Sequence, residues 1–322
     1  MKKKPAWLWI TDPWKTLDHS EDTTLRIAQA ALRLGVRCYW CSNNDISVSQ
    51  GSVRFRVQEL LEIQDIPRFT VRRSGAQVVG GECFTQIHYR TDPPVDLAYL
   101  QPLQLISLDP EARKKVVNPI DVLLGLNEKN LDVRFDLPTP PTLVSAQIEE
   151  LYAFALAQGE TVLKPFHQAQ SKGVERLELK RPTATRKRQT LALLKRATQG
   201  ETLPVIVQKF IPQIAQGEQR LWFVDGELLD YARKLPARGQ FKIDMDRGGS
   251  LVPTRLNAGE RKAVPKIQKA LRSLGIRLAA VDMIDGWVTD FNYTSPGLIR
   301  SMERVLGTNL ATPMVQALLK KR

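Results

Sequence analysis

Apolar positions recur along the chain in two rhythms, and the switches between them lay out its elements. Near the start, "AWLWITD" is an almost continuous apolar run that reads as a strand. "SEDTTLRIAQAALRLG" then takes up helical periodicity, with Ser20 or Asp22 near its cap and Gly35 at its end, before "VRCYWC" reads as strand again. Strand, helix and strand in that order predict a βαβ unit, and with it a parallel sheet in an N-terminal α/β domain. "QIHYRTDPPVD" adds a strand ending at Pro93-Pro94, which cannot continue a sheet interior. A loop at a strand's carboxyl end is a usual ligand-contact position in such a sheet.

"KVVNPIDVLLGLNEKNLDVRF" predicts a short strand and a helix carrying Asn127, Glu128 and Lys129, and "DLPTPPTLV" is a Pro-rich joint. A middle α/β segment follows: a helix in "SAQIEELYAFALAQG", strands in "ETVLKPF" and "VERLELK" around the loop "HQAQSKG", and a basic helix. The last segment opens with "PVIVQKFIP" and a hairpin in "EQRLWFVDGELLDYARKLP", turning at Asp225-Gly226. It continues through the helix "ERKAVPKIQKALRSLG" to a second hairpin and a closing helix. No internal repeat or low-complexity tract interrupts the pattern.

The second hairpin, "IRLAAVDMIDGWVTDFNYTSPG", carries an oddity: Asp282, Asp290 and Asn292 lie on strands, where Asp and Asn are depleted. If Ile284, Asp285 and Gly286 form a three-residue loop, Met283 pairs with Trp287 and Asp282 with Val288. Asp282, Asp290 and Asn292 then share one face, because side chains alternate along a strand. A two-residue Asp-Gly turn puts Asp282 on the opposite face from Asp290, so a metal-site reading needs the wider turn. Two carboxylates and an amide oxygen on one face make a hard oxygen cluster of the kind that holds Mg²⁺. From these residues alone, that reading and a solvated sheet face bearing scattered acids stand level.

Composition narrows the classes. With 322 residues, 43% of them hydrophobic and 25% charged, the chain is long enough for two or three globular domains. No apolar run approaches the ~20 residues needed to span a bilayer. "AWLWI" is too short for a signal-peptide core, so a cytoplasmic protein with no membrane partner is expected. Cys38, Cys41 and Cys83 are few, and "CYWC" lacks a second ligand pair, which points to reduced structural thiols. His19, His88 and His167 lie apart and have no local metal-ligand spacing. The net charge of +13 attracts polyanions: nucleic acid, nucleoside triphosphate or carboxylate-rich small molecules. The densest basic stretch, "LKRPTATRKRQTLALLKRATQ", has no interleaved aromatics and reads as a solvated face.

Several separated pieces, taken in order, resemble the bacterial glutathione synthetases of the ATP-grasp superfamily: "ITDPWKTLDHSEDTT", "YRTDPPVD", "VVNPIDVLLGLNEK", "VLKPF", "VQKFIPQIAQGEQRLWFVDGE" and "VDMIDGWVTDFNYTSPG". They span nearly the whole chain. The resemblance implies an α/β (α+β) ATP-grasp fold with an N-terminal parallel-sheet, pre-ATP-grasp domain over residues 1–120. A central lid-type subdomain over 121–205 and a C-terminal subdomain over 206–322 with the metal-site hairpin complete it. It also implies an ATP- and Mg²⁺-dependent carboxylate–amine ligase, with Mn²⁺ the alternative ion, acting on a small acidic peptide or amino acid.

Position by position, the resemblance assigns Lys129 and Lys164 to the ATP phosphates and Gln208, Lys209, Phe210 and Ile211 to an adenine hinge. Arg220 becomes a cation near the transferring phosphoryl group, and Asp282, Asp290 and Asn292 become the Mg²⁺ ligands. Arg90, Thr294 and Ser295 fall where the family handles its acidic substrate. A homo-oligomer is compatible with the family, although no segment of the chain signals self-association.

Three departures qualify the match. The family's glycine-rich phosphate loop is here "FHQAQSKGV", with only Gly173, so Ser171 and Lys172 are the candidates to replace backbone contacts. The site of an Arg-x-Asn followed by a Gly pair reads "FKIDMDRGG", placing Lys242 at a catalytic position and Asp244 beside it; Lys does not reproduce bidentate Arg contacts. The usual Glu of the metal set is the shorter Asp290. Altered substrate or reduced activity is therefore expected. A non-catalytic nucleotide- or peptide-binding relative is the alternative within the fold. A basic nucleic-acid-binding protein is the alternative outside it, and it leaves the hairpin unexplained.

Overall fold

The structure is a computed structural model that describes residues 4–65, 68–129, 135–167 and 173–320. β1 (Ala6–Thr11) and β2 (Arg37–Ser42) pair in parallel, joined by α1 (Thr23–Arg33), as the βαβ pattern predicts. Asp22 caps α1 by accepting from the Leu25 N–H, a donor that no helical carbonyl reaches. The next stretch forms elements that the pattern did not announce. β3 (Ile46–Ser49), β4 (Ser52–Gln64), β5 (Thr70–Arg73) and β6 (Gln77–Gly80) build an antiparallel extension, with β4 against β2. β7 (Gln86–Tyr89) returns parallel on the other side of β1, and β8 (Val116–Val117) continues parallel to β7. The eight-stranded sheet is thus mixed around a parallel centre.

Cys38 and Cys41 of β2 point to opposite faces, into two separate cores, and both are free buried thiols. Burial pushes the Cys38 thiol up to about 12, in keeping with a structural role.

α2 (Leu97–Ser107), α3 (Pro110–Arg113) and α4 (Ile120–Gly125) follow. Asn127, Glu128 and Lys129 lie beyond α4, not on a helix. Leu126 turns extended at the helix end, and the Asn127 side chain accepts from the Lys129 N–H at 2.9 Å. A short polar side chain competing for the backbone in this way ends a helix.

The middle sheet comprises β9 (Thr142–Ser145), β10 (Glu160–Pro165), β11 (Glu175–Glu178) and β12 (Val205–Lys209), in the order β11-β10-β12-β9. α5 (Ile148–Gln158) and α6 (Ala184–Ala197) pack on it over Leu151, Leu163, Leu177, Leu194 and Val207. Arg186, Lys187 and Arg188 of α6 are exposed. A division between residues 205 and 206 falls within β12, which belongs to this sheet.

The third sheet has the order β15-β14-β13-β16-β17: β13 (Glu218–Val224), β14 (Glu227–Leu235), β15 (Ser250–Val252), β16 (Leu278–Ile284) and β17 (Trp287–Asn292). α7 (Ala258–Ser273) starts at a capping box between Asn257 and Glu260. The expected closing helix is two, α8 (Ile299–Leu306) and α9 (Ala311–Leu319), interrupted where Gly307 adopts a left-handed φ of 66°.

These last helices fold back onto α1, so Trp7, Leu25, Trp222, Met302 and Met314 share one core. Arg26 of α1 meets Glu303 of α8 at 2.7 Å across that junction. Asn118, just after β8, sutures the same two parts. Its Nδ2 donates to the carbonyls of Leu278 and Tyr293 at 2.7 and 2.6 Å, and its Oδ1 accepts from the N–H groups of Arg277 and Leu278 at 2.9 and 3.0 Å. No helix of the described residues is long and apolar enough to cross a membrane.

Candidate active site

The β16–β17 hairpin turns through two residues, not three. Asp285 and Gly286 have φ of 50° and 87°, Ile284 pairs with Trp287, and Met283 pairs with Val288. Both left-handed residues suit the tight primed turn of a hairpin. Asp282 nevertheless faces Asp290, because the register shifts between Asp282 and Met283 and leaves Thr289 as the extra residue. A β-bulge does what the wider loop was expected to do. Asp282, Asp290 and Asn292 therefore share a face.

The next strand extends the rung. Arg220 of β13 pairs with Asp282, so a cation and two carboxylates line up across three strands. Arg220 Nε donates to Asp282 Oδ1 at 2.8 Å and Nη2 to Oδ2 at 2.5 Å. Lys234 of β14 reaches the same Oδ2 at 2.9 Å and Glu218 at 2.8 Å. Asn292 Nδ2 adds a bond to Asp282 Oδ2 at 3.2 Å. All of Arg220, Lys234 and Asp282 are buried. Burial by itself raises the Asp282 pKa, but Arg220 and Lys234 outweigh it and hold this carboxyl well below the usual range.

Asp290 differs. Burial raises its pKa against the pull of Lys129 and Lys164, and its Oδ1 is buried with no hydrogen-bond partner among the described residues. An orphaned buried carboxylate oxygen is costly unless something else takes it up. Lys164 Nζ, on β10, donates to Gln208 Oε1 at 2.8 Å and to the Thr289 carbonyl at 3.3 Å, so it bridges the middle sheet and the bulge. Burial lowers its pKa, opposed by Asp290 and Glu218.

Gln208 is buried and donates to Thr142 Oγ1 at 2.9 Å, whereas Lys209 is exposed. Phe210 and Ile211 join Val162, Ile214 and Ile284 in a small apolar cluster between the middle and third sheets, with the Arg176 guanidinium 4.2 Å over the Phe210 ring. Lys242 stands in the loop between β14 and β15, with its ammonium over the neighbouring Phe241 ring. Among the described residues, none of the bonds of the Arg220–Asp282–Lys234 cluster involves it. Asp244 turns into its own loop, accepting from the Asp246 N–H at 3.0 Å. Ser171 and Lys172 lie outside the described residues.

Of Arg90, Thr294 and Ser295, the structure joins Arg90 to Ser295 directly, while the Thr294 N–H bonds to Glu128. Arg90 is buried, with Nη2 on the Pro296 carbonyl at 2.7 Å and Nε on Thr24 Oγ1 at 3.2 Å, and Ser295 Oγ donates to its carbonyl at 3.3 Å. Arg90 Nη1 is buried without a partner among the described residues, a donor left for an anion. Burial also raises the nearby Asp22 pKa to about 6.

Two residues escaped the sequence reading. Lys234 sits opposite Glu218 only because a second bulge, after Trp222, shifts the β13–β14 register; counting back from Asp225-Gly226 without it pairs Glu218 with Arg233. Glu128 is half-buried between the first and third parts of the chain. Its Oε1 accepts from the N–H groups of Tyr293 and Thr294 at 2.6 and 2.7 Å. Burial, then Asp290, pushes its carboxyl up to about 7. Nothing local in "LNEK" signals it.

Three sheets that converge on a buried set of lysines, arginines and acids define an ATP-grasp protein, and solved structures agree. The fold matches D-cycloserine synthetase DcsG with a TM-score of 0.64 at 17% identity, covering 97% of this chain and 98% of that one. It also matches a RimK domain protein ATP-grasp from Sphaerobacter thermophilus with a TM-score of 0.62 at 17% identity, covering 98% and 100%. The profile of the prokaryotic glutathione synthetase N-terminal domain matches residues 6–123, and that of the prokaryotic glutathione synthetase ATP-grasp domain matches residues 128–307. The glutathione synthetase of Parasynechococcus marenigrum (strain WH8102) is 33% identical over 97% of this chain and 98% of its own. The chain belongs to the prokaryotic glutathione synthetase family, whose cofactors are ATP and Mg²⁺, and is a glutathione synthetase-like ATP-grasp ligase.

The donor set fits that metal at Asp290, whose buried Oδ1, unpartnered among the described residues, is a hard oxygen near the charges of Lys129 and Lys164. Asp282 Oδ2 is already taken by Arg220, Lys234 and Asn292, and only its Oδ1, which accepts from Arg220 Nε, has acceptor capacity left for a metal. Among the described residues, no three His, Cys, Asp or Glu side chains group as a metal site, so the ligand set rests on two acids and the Asn292 amide.

Proposed function

We propose that the chain forms an amide bond between a small acidic peptide and an amine at the expense of ATP, with lower turnover than its curated relatives or on a different acid. The observation that carries this reading is the orphaned Asp290 oxygen set against Lys164 and the Arg220–Asp282 rung. In the first step a carboxylate oxygen attacks the γ-phosphorus, the bond to the β-phosphate oxygen breaks, and ADP leaves. The amine nitrogen then attacks the acyl carbon, the bond to phosphate breaks, and the amine proton passes to solvent.

Neither step needs a protein nucleophile; both need alignment and charge neutralisation. Lys129 and Lys164 hold the phosphates, and the segment from Gln208 to Ile211 takes the base. Arg220 faces the transferring group, held flat by Asp282. Arg90, with its free Nη1, receives the acid's carboxylate beside Thr294 and Ser295. Mg²⁺, when bound, supplies charge neutralisation at the phosphate oxygens.

Reduced turnover is supported by Asp282, already committed to Arg220 and Lys234, by the short Asp290, and by Lys242 standing apart from the cluster. The test is calorimetric titration with a non-hydrolysable ATP analogue, with Mg²⁺ and then with EDTA. ADP release is followed next with γ-glutamylcysteine and glycine, the two halves of glutathione, and with other acid and amine pairs. Mg²⁺-dependent binding with slow or redirected release supports the proposal. Absence of binding in both conditions overturns it in favour of a non-catalytic relative.

A further inference from the structure

The tripeptide Asn127-Glu128-Lys129 touches both halves of the site at once. On one side, Asn127 Nδ2 donates to the Phe166 carbonyl at 2.8 Å, two residues beyond Lys164, and Lys129 is itself a phosphate candidate. On the other side, the Glu128 carbonyl accepts from the Phe291 N–H at 3.0 Å, and its carboxylate Oε1 accepts from the next two donors that face it, Tyr293 and Thr294. Among the described residues, β17 is an edge strand, paired only with β16. Its outward N–H groups have no neighbouring strand to bond, and Glu128 stands where that strand would run.

This arrangement is expensive in isolation. A half-buried carboxylate stands here, close enough to Asp290 for the two acids to repel. A backbone loop or a water could satisfy the same donors without a charge. What the carboxylate adds is a rigid tie from the segment before Lys129 to the strand end where Asn292, Thr294 and Ser295 emerge.

We infer that Glu128 is a positioning residue that couples the nucleotide half of the site to the half that holds the acid substrate. The inference rests on the ligase reading. Nucleotide binding at Lys129 and Lys164 orders the tripeptide, the tie transmits that order to Thr294 and Ser295, and the acid then binds a preformed pocket. The same tie runs in reverse, so the acid tightens the nucleotide by an equal factor.

The experiment measures the affinity of γ-glutamylcysteine with and without the Mg²⁺ complex of the non-hydrolysable ATP analogue, in the wild type, Glu128→Ala and Glu128→Gln. In the wild type the nucleotide tightens the peptide by about fivefold or more, within the range of ordinary site coupling. Glu128→Ala brings that ratio to near one while each ligand alone binds within about threefold of wild type. Glu128→Gln keeps the ratio, because its amide oxygen still accepts from both N–H groups. Hydrogen exchange of the unliganded protein at residues 290–296 speeds up in Glu128→Ala and not in Glu128→Gln.

An unchanged ratio in Glu128→Ala overturns the inference. So does a parallel loss of stability and of both single-ligand affinities, which describes a plain structural residue. If the wild type binds neither ligand, the ligase reading has failed and the coupling with it, and the exchange result then reports on the tie alone.

Discussion

Arg220 and Asp282 face each other across β13 and β16 as a buried, two-bond pair, Nε to Oδ1 at 2.8 Å and Nη2 to Oδ2 at 2.5 Å. Lys234 closes on the same carboxylate at 2.9 Å. The acid expected to be a metal ligand is thus also the counter-charge for two buried cations. Asp290, opposite Asp282 on β17, feels the charges of Lys129 and Lys164 but keeps its Oδ1 without a hydrogen-bond partner among the described residues.

The two acids should therefore respond in opposite ways to neutralisation. Asp282→Asn strips Arg220 of its two-bond carboxylate, leaves Lys234 with Glu218 alone, and should lower the unfolding free energy by about 3–5 kcal/mol. Asp290→Asn removes an acid whose ionisation burial already opposes, and should leave stability within about 1 kcal/mol while abolishing Mg²⁺-dependent nucleotide binding. Urea unfolding and calorimetry of both variants check this, and equal destabilisation would remove the distinction.

Lys164 bridges two sheets, whereas Lys209 at the end of β12 is exposed. Losing a charge-assisted bond costs about 1.5–3 kcal/mol, so Lys164→Ala should weaken Mg·ATP-analogue binding by about 10- to 100-fold. Lys209→Ala should change it by about twofold or less, as exposed charges do. The reverse order would move the phosphate site away from β10.

Glu128 and Asp22 both have pKa values raised by burial, to about 7 and about 6. Between the ordinary carboxyl values and these, the folded chain binds more protons than the unfolded one, so this contribution to stability falls as pH rises. It is full below about pH 4 and lost on passing through 7. The urea midpoint of the unliganded protein should drop from pH 5 to pH 8, and Glu128→Gln should flatten the part centred near 7. A midpoint that rises over that range in the wild type contradicts the assignment.

Asn118 makes four side-chain bonds that tie β8 to Leu278 and Tyr293. Asn118→Ala strands four buried backbone groups and places a non-Gly residue, without the amide's local bonds, at a φ of 56°. A loss of about 2–4 kcal/mol is expected in chemical unfolding. Asn118→Gly, which relieves the backbone, should recover only part of it; full recovery would mean the amide contributes little.

The periodicity of "AWLWITD" and "LRIAQAALRL", the turn residues of "VDG" and "IDG", and the capping residues of α1 made most elements legible, because they act through near neighbours. The antiparallel extension β3–β6 was not read although β4 alternates along "SVRFRVQ", because its partners β3, β5 and β6 are only four residues each, and the split between α8 and α9 was not read because Gly307 resembles any loop glycine. The spacing of Asp282, Asp290 and Asn292 pointed to one face for a reason that the structure replaces: a bulge at Thr289, not a wider turn.

What the sequence by itself determined is the order of elements, the family, and the residue types available for phosphate and metal chemistry. Those follow from local alternation, turn chemistry and motif order along one chain. Only the tertiary structure decided that Lys234 shares Asp282 with Arg220, that Asp290 keeps a free oxygen, and that Glu128 completes the edge of β17. Each of these depends on ladder register or on contacts between segments more than 40 residues apart. A one-residue bulge changes which side chains meet without leaving a mark in the local pattern.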